Sequence, residues 1–210
     1  MSGKELVEKL DSVYPKVKTP LSHSNTFQLL IATILSAQCT DAQVNKVTPL
    51  LFQKYPNAPS MARARITDLE RLVKSTGFYH VKAKRIKLVS QKIVSDFKGK
   101  VPNTMDELLT LPGIGRKTAN IVLSAGHGRI CGIAVDTHVF RVSRRIGLAK
   151  SNTPEKIEQE LMQITPKDSW PRLSMLLIFH GRRACFARKP DCASCILSSN
   201  CLYFQQERKI

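Results

Sequence analysis

Four cysteines lie close together near the end of this chain, in the pattern C-x6-C-x2-C-x5-C. They are Cys185, Cys192, Cys195 and Cys201. Thiolates at such short, uneven spacing can converge on one metal centre, and zinc or an iron–sulfur cluster is the natural occupant. Only one C-x2-C pair is present, whereas zinc ribbons combine two such pairs. The pattern therefore predicts a loop stapled by metal at the C-terminal end of the fold.

The cysteine content also bears on the compartment. The chain has six cysteines, and the other two, Cys39 and Cys131, have no near partner in sequence. A secreted disulfide framework is normally smaller, denser in cysteine and preceded by a signal peptide. Residues 1–18 carry three acidic residues and no long apolar run, and no stretch of the chain suits a membrane span. We therefore expect a cytoplasmic protein without a targeting signal or membrane contact.

The chain is strongly basic, with a formal net charge of +17 over 210 residues. Residues 61–100 hold 11 Lys or Arg against 3 Asp or Glu, and residues 101–150 hold 7 against 3. The first stretch alone is as readily a solvated helix face as a binding surface, but its continuation favours a binding face. A negatively charged polymer such as DNA is the partner that such a face suits.

Helix-start signals recur along the chain. Thr40, Thr67 and Thr104 are each followed three residues later by Gln or Glu, as in a capping box, and Thr153 precedes a proline. Between these signals the apolar residues keep a helical period, and no segment combines sustained alternation with a hairpin turn. The sequence predicts an all-α fold of roughly ten helices joined by short loops.

Two glycines mark a turn between helices in LPGIGRKTA, residues 111–119. Gly113 and Gly115 allow a tight turn and a close approach to a ligand, and amides at the start of the next helix can hold a phosphate oxygen. Pro-Gly-x-Gly alone favours an ordinary helix–helix turn. Lys117 adds weight to the phosphate site, because the helix end and Arg116 both disfavour a charged ammonium there. Lys117 is therefore a candidate nucleophile, with a plain phosphate-contacting or solvated lysine as the alternative.

A carboxylate motif follows in VDTHVFRV, residues 135–142. Asp136 precedes an apolar helical pattern, so a helix N-cap and a catalytic carboxylate are equally good interpretations. Both can hold at once, because a capping Asp at a fixed helix end is also a well-oriented carboxylate. His138, next to it, suits a structural role better than a catalytic one.

In chain order, the glycine hairpin LPGIGRKTA, the carboxylate motif and the cysteine pattern together resemble those of the endonuclease III family, the helix-hairpin-helix DNA glycosylases and AP lyases for oxidised pyrimidines. A fourth segment, LSAQCTD at residues 35–41, is similar to the family's early DNA-contact segment. The resemblance covers nearly the whole chain and implies two helical lobes. Residues 22–132 would form a six-helix barrel with the helix-hairpin-helix motif, and residues 1–21 with 133–210 would form an iron–sulfur cluster domain.

The resemblance also implies roles for the chemical groups. Lys117 matches the Schiff-base nucleophile and Asp136 the essential carboxylate, and the two are expected to face each other across DNA. Gly113 and Gly115 match the hairpin that grips a phosphate. In this family the four cysteines hold a 4Fe–4S cluster, which would be structural or a redox reporter.

Further residues match the family's DNA contacts. Gln38 corresponds to the residue that fills the gap left by the flipped nucleotide. Phe78 stands where relatives often have leucine as a wedge opposite the lesion, a departure that bears on which opposite base is tolerated. Arg188 and Lys189 lie in the basic loop between the first two cysteines. The expected partner is double-stranded DNA with damaged bases or AP sites, bound by a monomer at the nucleoid.

The expected activity is excision of oxidised pyrimidines in base excision repair, followed by strand cleavage through β-elimination. One alternative is a related glycosylase, for thymine mismatches or for adenine opposite 8-oxoguanine. The adenine type usually lacks a lysine at position 117 and carries an extra C-terminal domain. The other alternative is a non-catalytic iron–sulfur protein that binds DNA or senses redox state. It would need no lysine–aspartate pair, so the joint presence of Lys117 and Asp136 counts against it.

Overall fold

The computed structural model describes residues 1–17 and 19–207, with only the backbone of Glu207. In these ranges all regular secondary structure is helical and no strand occurs, which confirms the all-α prediction. None of the described helices is both long and apolar enough to span a bilayer. The α-helices are α1 Gly3–Val13, α2 Thr26–Leu35, α3 Asp41–Lys54, α4 Ala58–Ala62, α5 Ile66–Val73, α6 Tyr79–Phe97, α7 Met105–Leu109, α8 Arg116–Ile121, α9 Thr137–Ile146, α10 Pro154–Ile164, α11 Trp170–Arg183 and α12 Leu202–Glu207. Short 3-10 turns lie at Lys74–Thr76, Lys167–Ser169 and Ser198–Asn200, and a π-helical turn lies at Val122–Gly126.

Three of the four helix starts that the sequence marks are confirmed. The N-caps of α3, α7 and α10 are Thr40, Thr104 and Thr153, and each side chain accepts a hydrogen bond from a first-turn amide. The prediction that Thr67 is an N-cap is wrong, because α5 already begins at Ile66. The N-cap is Arg65, whose side chain makes no capping hydrogen bond. Burial of Leu69 and Val73 fixes this helix instead of a cap.

One of two compact units is the continuous segment Thr19–Arg129. Its core includes α2, an apolar helix in which eight of ten residues are buried. Against this core α6 packs on α4 and α5. The turn between α7 and α8 is anchored by Leu111 and Ile114, which are buried. The glycine hairpin therefore stands on a packed scaffold.

The other unit is discontinuous and combines Met1–Lys18 with Ile130–Ile210. Leu6 and Leu10 of α1 are buried in a core with apolar residues of α9, α10 and α11. Arg172 of α11 fastens the N-terminal segment by donating hydrogen bonds to the Asp11 carboxylate and to the Val17 carbonyl. This unit carries both Asp136 and the four clustered cysteines.

Candidate functional site

The two glycines of the hairpin between α7 and α8 are needed for different reasons. Gly113 has φ +71°, a backbone conformation that strains a side chain, and an added Cβ would lie 2.6 Å from Nε of Arg85. Gly115 has φ −103°, which any residue adopts, and an added Cβ would meet nothing within 4 Å. The turn itself therefore requires Gly113, whereas Gly115 leaves bare backbone beside open space.

Lys117 lies in the first turn of α8, and its side chain is exposed. Gly115, the N-cap, has no side chain that could cap the amides of this turn. The first-turn amides and the lysine therefore present positive charge at the same helix end. Within the described residues, Nζ of Lys117 forms no hydrogen bond or ion pair. The amine is thus held by no protein group.

Asp136 is the N-cap of α9. Its Oδ1 accepts hydrogen bonds from the amides of His138 and Val139, both at 2.8 Å. Among the described residues, no hydrogen bond uses the other carboxylate oxygen, Oδ2. The cap predicted from the sequence is confirmed. One oxygen fixes the orientation of the carboxylate, and the other is left to interact with a bound molecule.

His138 is held in its neutral form. Its Nδ1 lies 3.0 Å from Nη2 of Arg141, and because a guanidinium only donates, Nδ1 must accept and the ring proton must lie on Nε2. Burial lowers the pKa of His138, the Asp136 carboxylate opposes this shift, and Arg141 adds to it. The engagement with Arg141 agrees with a structural role for this histidine.

Backbone strain coincides with three of the candidate DNA contacts. The non-glycine residues of positive φ in the described ranges are Gln38, Phe78, Lys98 and Lys189. Lys98 is the C-cap of α6, an ordinary use of this conformation. The other three are exposed, and each such backbone costs of order 1–3 kcal/mol, a strain that clusters at functional sites. Three of the four non-glycine residues with positive φ in the described ranges are therefore residues that the family resemblance marks as candidate DNA contacts.

The four C-terminal cysteines line one small cavity of about 20 Å³. Within the described part of the chain, none of the four forms a disulfide. Among the described residues, no group of three or more His, Cys, Asp or Glu side chains is placed to hold a metal ion. A zinc ion needs four ligands at about 2.0–2.3 Å from one centre, whereas an iron–sulfur cluster spreads its thiolates around a larger inorganic core. As placed, the four thiols line one cavity without converging on a single ion.

Hydrogen-bond donors surround the cysteine sulfur atoms. Nη1 of Arg145 lies 3.5 Å from Sγ of Cys185, and the Leu197 amide lies 3.4 Å from Sγ of Cys195. Burial raises the pKa of the Cys195 thiol, and the Leu197 amide opposes that shift. Nε2 of His180 lies 3.5 Å from the same sulfur, and burial lowers the pKa of this histidine to about 4. Donors to sulfur are a common feature of iron–sulfur sites.

Two arginines to which the sequence motifs assign no role hold the start of the cysteine loop. Arg141 donates to the carbonyl of Cys185, through Nε at 3.2 Å and Nη2 at 3.1 Å. Arg145 donates to the carbonyls of Phe186 at 2.6 Å and Ala187 at 3.0 Å. Their i, i+4 spacing on α9 is the one signal in the sequence that could have marked them.

The basic loop between the first two cysteines points its charges outward. Arg188 and Lys189 are both exposed. Within the described residues, neither side chain forms a hydrogen bond or ion pair. These charges are therefore free to meet an anion.

Comparisons with known proteins support the resemblance on which these candidates were chosen. Residues 31–167 match the family model described as "HhH-GPD superfamily base excision DNA repair protein". Endonuclease III of Synechocystis sp. is 49% identical over 197 residues, covering 94% of this chain and 90% of that protein. A non-covalent endonuclease III–DNA complex is 39% identical with a TM-score of 0.92, covering 100% of both chains. A trapped endonuclease III–DNA covalent intermediate has the same identity and TM-score and covers 99% of both chains. The chain belongs to the endonuclease III family, within the HhH-GPD superfamily.

Proposed function

We propose that this chain is a bifunctional DNA glycosylase and AP lyase that removes oxidised pyrimidines from double-stranded DNA. The observation that carries the proposal is the exposed, unengaged amine of Lys117, two residues after the bare backbone of Gly115. A similar protein has been trapped in a covalent intermediate with DNA. Such an intermediate needs a nucleophile on the protein, and a lysine amine supplies one through Schiff-base chemistry.

The damaged nucleotide must first leave the duplex. A stacked base cannot be reached, and extruding it costs a few kcal/mol. An oxidised pyrimidine such as thymine glycol has lost its aromaticity and stacks poorly, so its extrusion is easier. We assign Phe78 to a wedge opposite the lesion and Gln38 to the gap that the flipped nucleotide leaves. Both side chains are exposed on strained backbone, as an inserting group requires.

The chemistry then runs through two side chains. The neutral amine of Lys117 attacks C1′ of the sugar, and the bond from C1′ to the base breaks, with its electron pair leaving on the base. Asp136 stabilises the positive charge that develops on the sugar and accepts a proton from the lysine. The C1′–O4′ bond of the resulting aminal then breaks, O4′ takes a proton, and the nitrogen lone pair forms the C=N bond of an iminium. The iminium acidifies a C2′ proton, and loss of that proton expels the 3′ phosphate by β-elimination. The strand is therefore cut on the 3′ side of the lesion.

The remaining assignments concern binding. The hairpin of Gly113 and Gly115 holds a DNA phosphate through main-chain amides, which fixes register without reading a base. Residues 22–132 as the barrel domain, and residues 1–21 with 133–210 as the cluster domain, stay predictions. Because the substrate is DNA and the thiols need reducing conditions, we place the protein in the cytoplasm at the nucleoid, as a monomer.

We further propose that Cys185, Cys192, Cys195 and Cys201 hold a 4Fe–4S cluster. The support is the donor set, since these four thiols line one cavity, and the sulfur atoms of Cys185 and Cys195 accept hydrogen bonds. When bound, the cluster supplies a fixed crosslink and a capacity for one-electron exchange. Bond cleavage in DNA is left to Lys117 and Asp136.

Iron analysis tests the cluster assignment. Protein prepared without oxygen should be yellow-brown and contain about four irons per chain. Cys192→Ser should lose colour and iron. Cys39→Ser and Cys131→Ser are matched controls, because neither residue lines the cavity, and both should keep the iron of the wild type. Stoichiometric zinc in place of iron would contradict the assignment.

A charge reversal tests the basic loop. Lys189→Glu should weaken binding to damaged and undamaged duplexes alike, because a phosphate contact carries no base information. The slope of log K against log salt should become shallower by about one unit, since fewer counterions are released. Lys156→Glu, with the same charge change at an exposed site in α10, should leave the slope as it is. A loss confined to damaged DNA would show that the loop is not a general phosphate clamp.

Trapping with borohydride tests the activity as a whole. Wild-type protein incubated with a thymine glycol duplex should become covalently linked to the cut strand, and an undamaged duplex of the same sequence should not be trapped. Base release without trapping would point to a monofunctional glycosylase. Action on a thymine mismatch alone would favour the mismatch enzyme. Binding without base release or cleavage would favour the non-catalytic alternative.

A further inference from the structure

A lysine is buried beneath the loop that carries Phe78. Lys82, at the end of the first turn of α6, is only 5% exposed. Its Nζ donates to the carbonyl oxygen of Thr76 at 2.7 Å. Thr76 is buried as well, and its hydroxyl donates to the carbonyl of Val73 at 2.8 Å. A buried ammonium group therefore holds the end of the 3-10 turn, directly before Gly77 and Phe78.

Burying a lysine at this position is energetically unfavourable. Burial removes the hydration of the ammonium, and a positive charge near a helix N-terminus opposes the helix dipole. Burial lowers the pKa of Lys82, and the Cys39 thiol opposes that shift. A core position filled for packing alone would carry an apolar side chain at no such cost. The hydrogen bond to the Thr76 carbonyl is the interaction that a lysine makes at this position and an apolar side chain could not make.

A second contact joins the start of α3, which follows Gln38, to the 3-10 turn before Phe78. Nε2 of Gln43, in the first turn of α3, donates to Oγ of Ser75 at 2.7 Å. Cys39, next to Gln38, is half-buried against the core of the same unit. The start of α3, which follows Gln38 in the chain, is thus hydrogen-bonded to the 3-10 turn that precedes Phe78.

We propose that Lys82 is a positioning residue for duplex opening: its ammonium on the Thr76 carbonyl holds Phe78 in the conformation that enters DNA. Without it, a buried carbonyl loses its partner, and one of the contacts that hold the segment before Phe78 is lost, so that the left-handed backbone of Phe78 can relax. Ordering the loop would then have to occur at each encounter with DNA. The inference rests on the proposed role of Phe78 as the wedge.

A pair of lysine variants tests this role. Lys82→Met keeps an unbranched side chain and removes the charge and the donor. Its matched control is Lys87→Met, because Nζ of Lys87, on the same helix, also donates to a carbonyl at 2.7 Å, that of Ala64. Lys82→Met should slow single-turnover excision from a thymine glycol duplex by about 10–100-fold, the scale of a misplaced positioning group. Cleavage of an AP site in a single strand, which has no partner strand to open, should stay within about twofold, and Lys87→Met should be normal on both substrates.

A double-mutant cycle shows whether Lys82 acts through Phe78. Phe78→Ala alone should slow duplex excision, and adding Lys82→Met should slow it little further, because the second change disturbs a loop that no longer carries a wedge. Additive losses would overturn the proposal. Normal duplex excision by Lys82→Met, in an enzyme that Phe78→Ala slows, would overturn it while leaving the wedge. Normal excision by Phe78→Ala would remove both the wedge and the inference built on it.

Folding of the variants needs its own readout. Circular dichroism and thermal melting would show whether Lys82→Met is folded. If it is not, Gln43→Ala takes its place, because this partly buried side chain is hydrogen-bonded to Ser75 in the 3-10 turn before Phe78. Gln43→Ala should then give a smaller loss on the duplex, none on the single strand, and no additivity with Phe78→Ala. A loss of equal size on both substrates would contradict a positioning role.

Discussion

Replacing Lys117 by glutamine is expected to abolish both base release and strand cleavage on a thymine glycol duplex while leaving DNA binding nearly intact. The variant lacks the amine that attacks C1′, and no other step substitutes for that bond. The side chain is exposed and makes no hydrogen bond or ion pair within the described residues, so its loss should not disturb the fold. Borohydride should trap the wild type on the duplex and fail to trap Lys117→Gln.

The controls separate chemistry from binding. Gel-shift titration should give Lys117→Gln a dissociation constant close to that of the wild type. Lys156→Gln, which removes an exposed lysine of α10, should be trapped as efficiently as the wild type. Undiminished trapping of Lys117→Gln would mean that another amine, such as the N-terminus, forms the adduct.

Asp136→Asn is expected to slow excision by about 10²–10⁴-fold, the usual scale for a positioned acid–base group. An asparagine oxygen can still accept from the amides of His138 and Val139, so the cap on α9 is kept. The melting temperature should therefore change little while the single-turnover rate falls.

Asp136→Ala supplies the matched comparison. It removes the carboxylate and the cap together, and loss of the cap should cost about 0.5–2 kcal/mol of stability. The two variants should share the catalytic defect and differ in melting temperature. A near-wild-type rate for Asp136→Asn would show that Asp136 is a helix cap and nothing more.

The parts of the molecule that sequence predicted are those with local signals. Caps such as Thr40 act within one helical turn, and cysteine spacing is read directly from the chain, so the all-α fold and the clustering of the four cysteines follow from short patterns. Thr67 shows the limit, because packing of Leu69 and Val73 sets the start of α5 and overrides the capping signal. The roles of Lys117 and Asp136 came from resemblance and stay predictions until the variants are measured.

The parts that sequence did not predict depend on tertiary contacts. Arg141 and Arg145 reach carbonyls about 40 positions further along the chain, and no local pattern reports such a distance. Lys82 is one of 11 basic residues in the stretch 61–100, where a charge count treats every lysine as surface. Its burial depends on how α6 packs, and only the fold separates it from its solvated neighbours.

The discontinuous unit sets an order for folding during synthesis. Helix α1 leaves the ribosome before its core partners in α10 and α11, which begin at Pro154 and Trp170. At about 5–20 residues per second, Leu6 and Leu10 wait roughly 7–30 s without their partners. The continuous segment Thr19–Arg129, which has a core of its own, is complete before either partner helix begins. The nascent chain therefore exposes the apolar face of α1 while the segment that follows it is already complete. This face is a target for a holding chaperone until α10 and α11 have been synthesised.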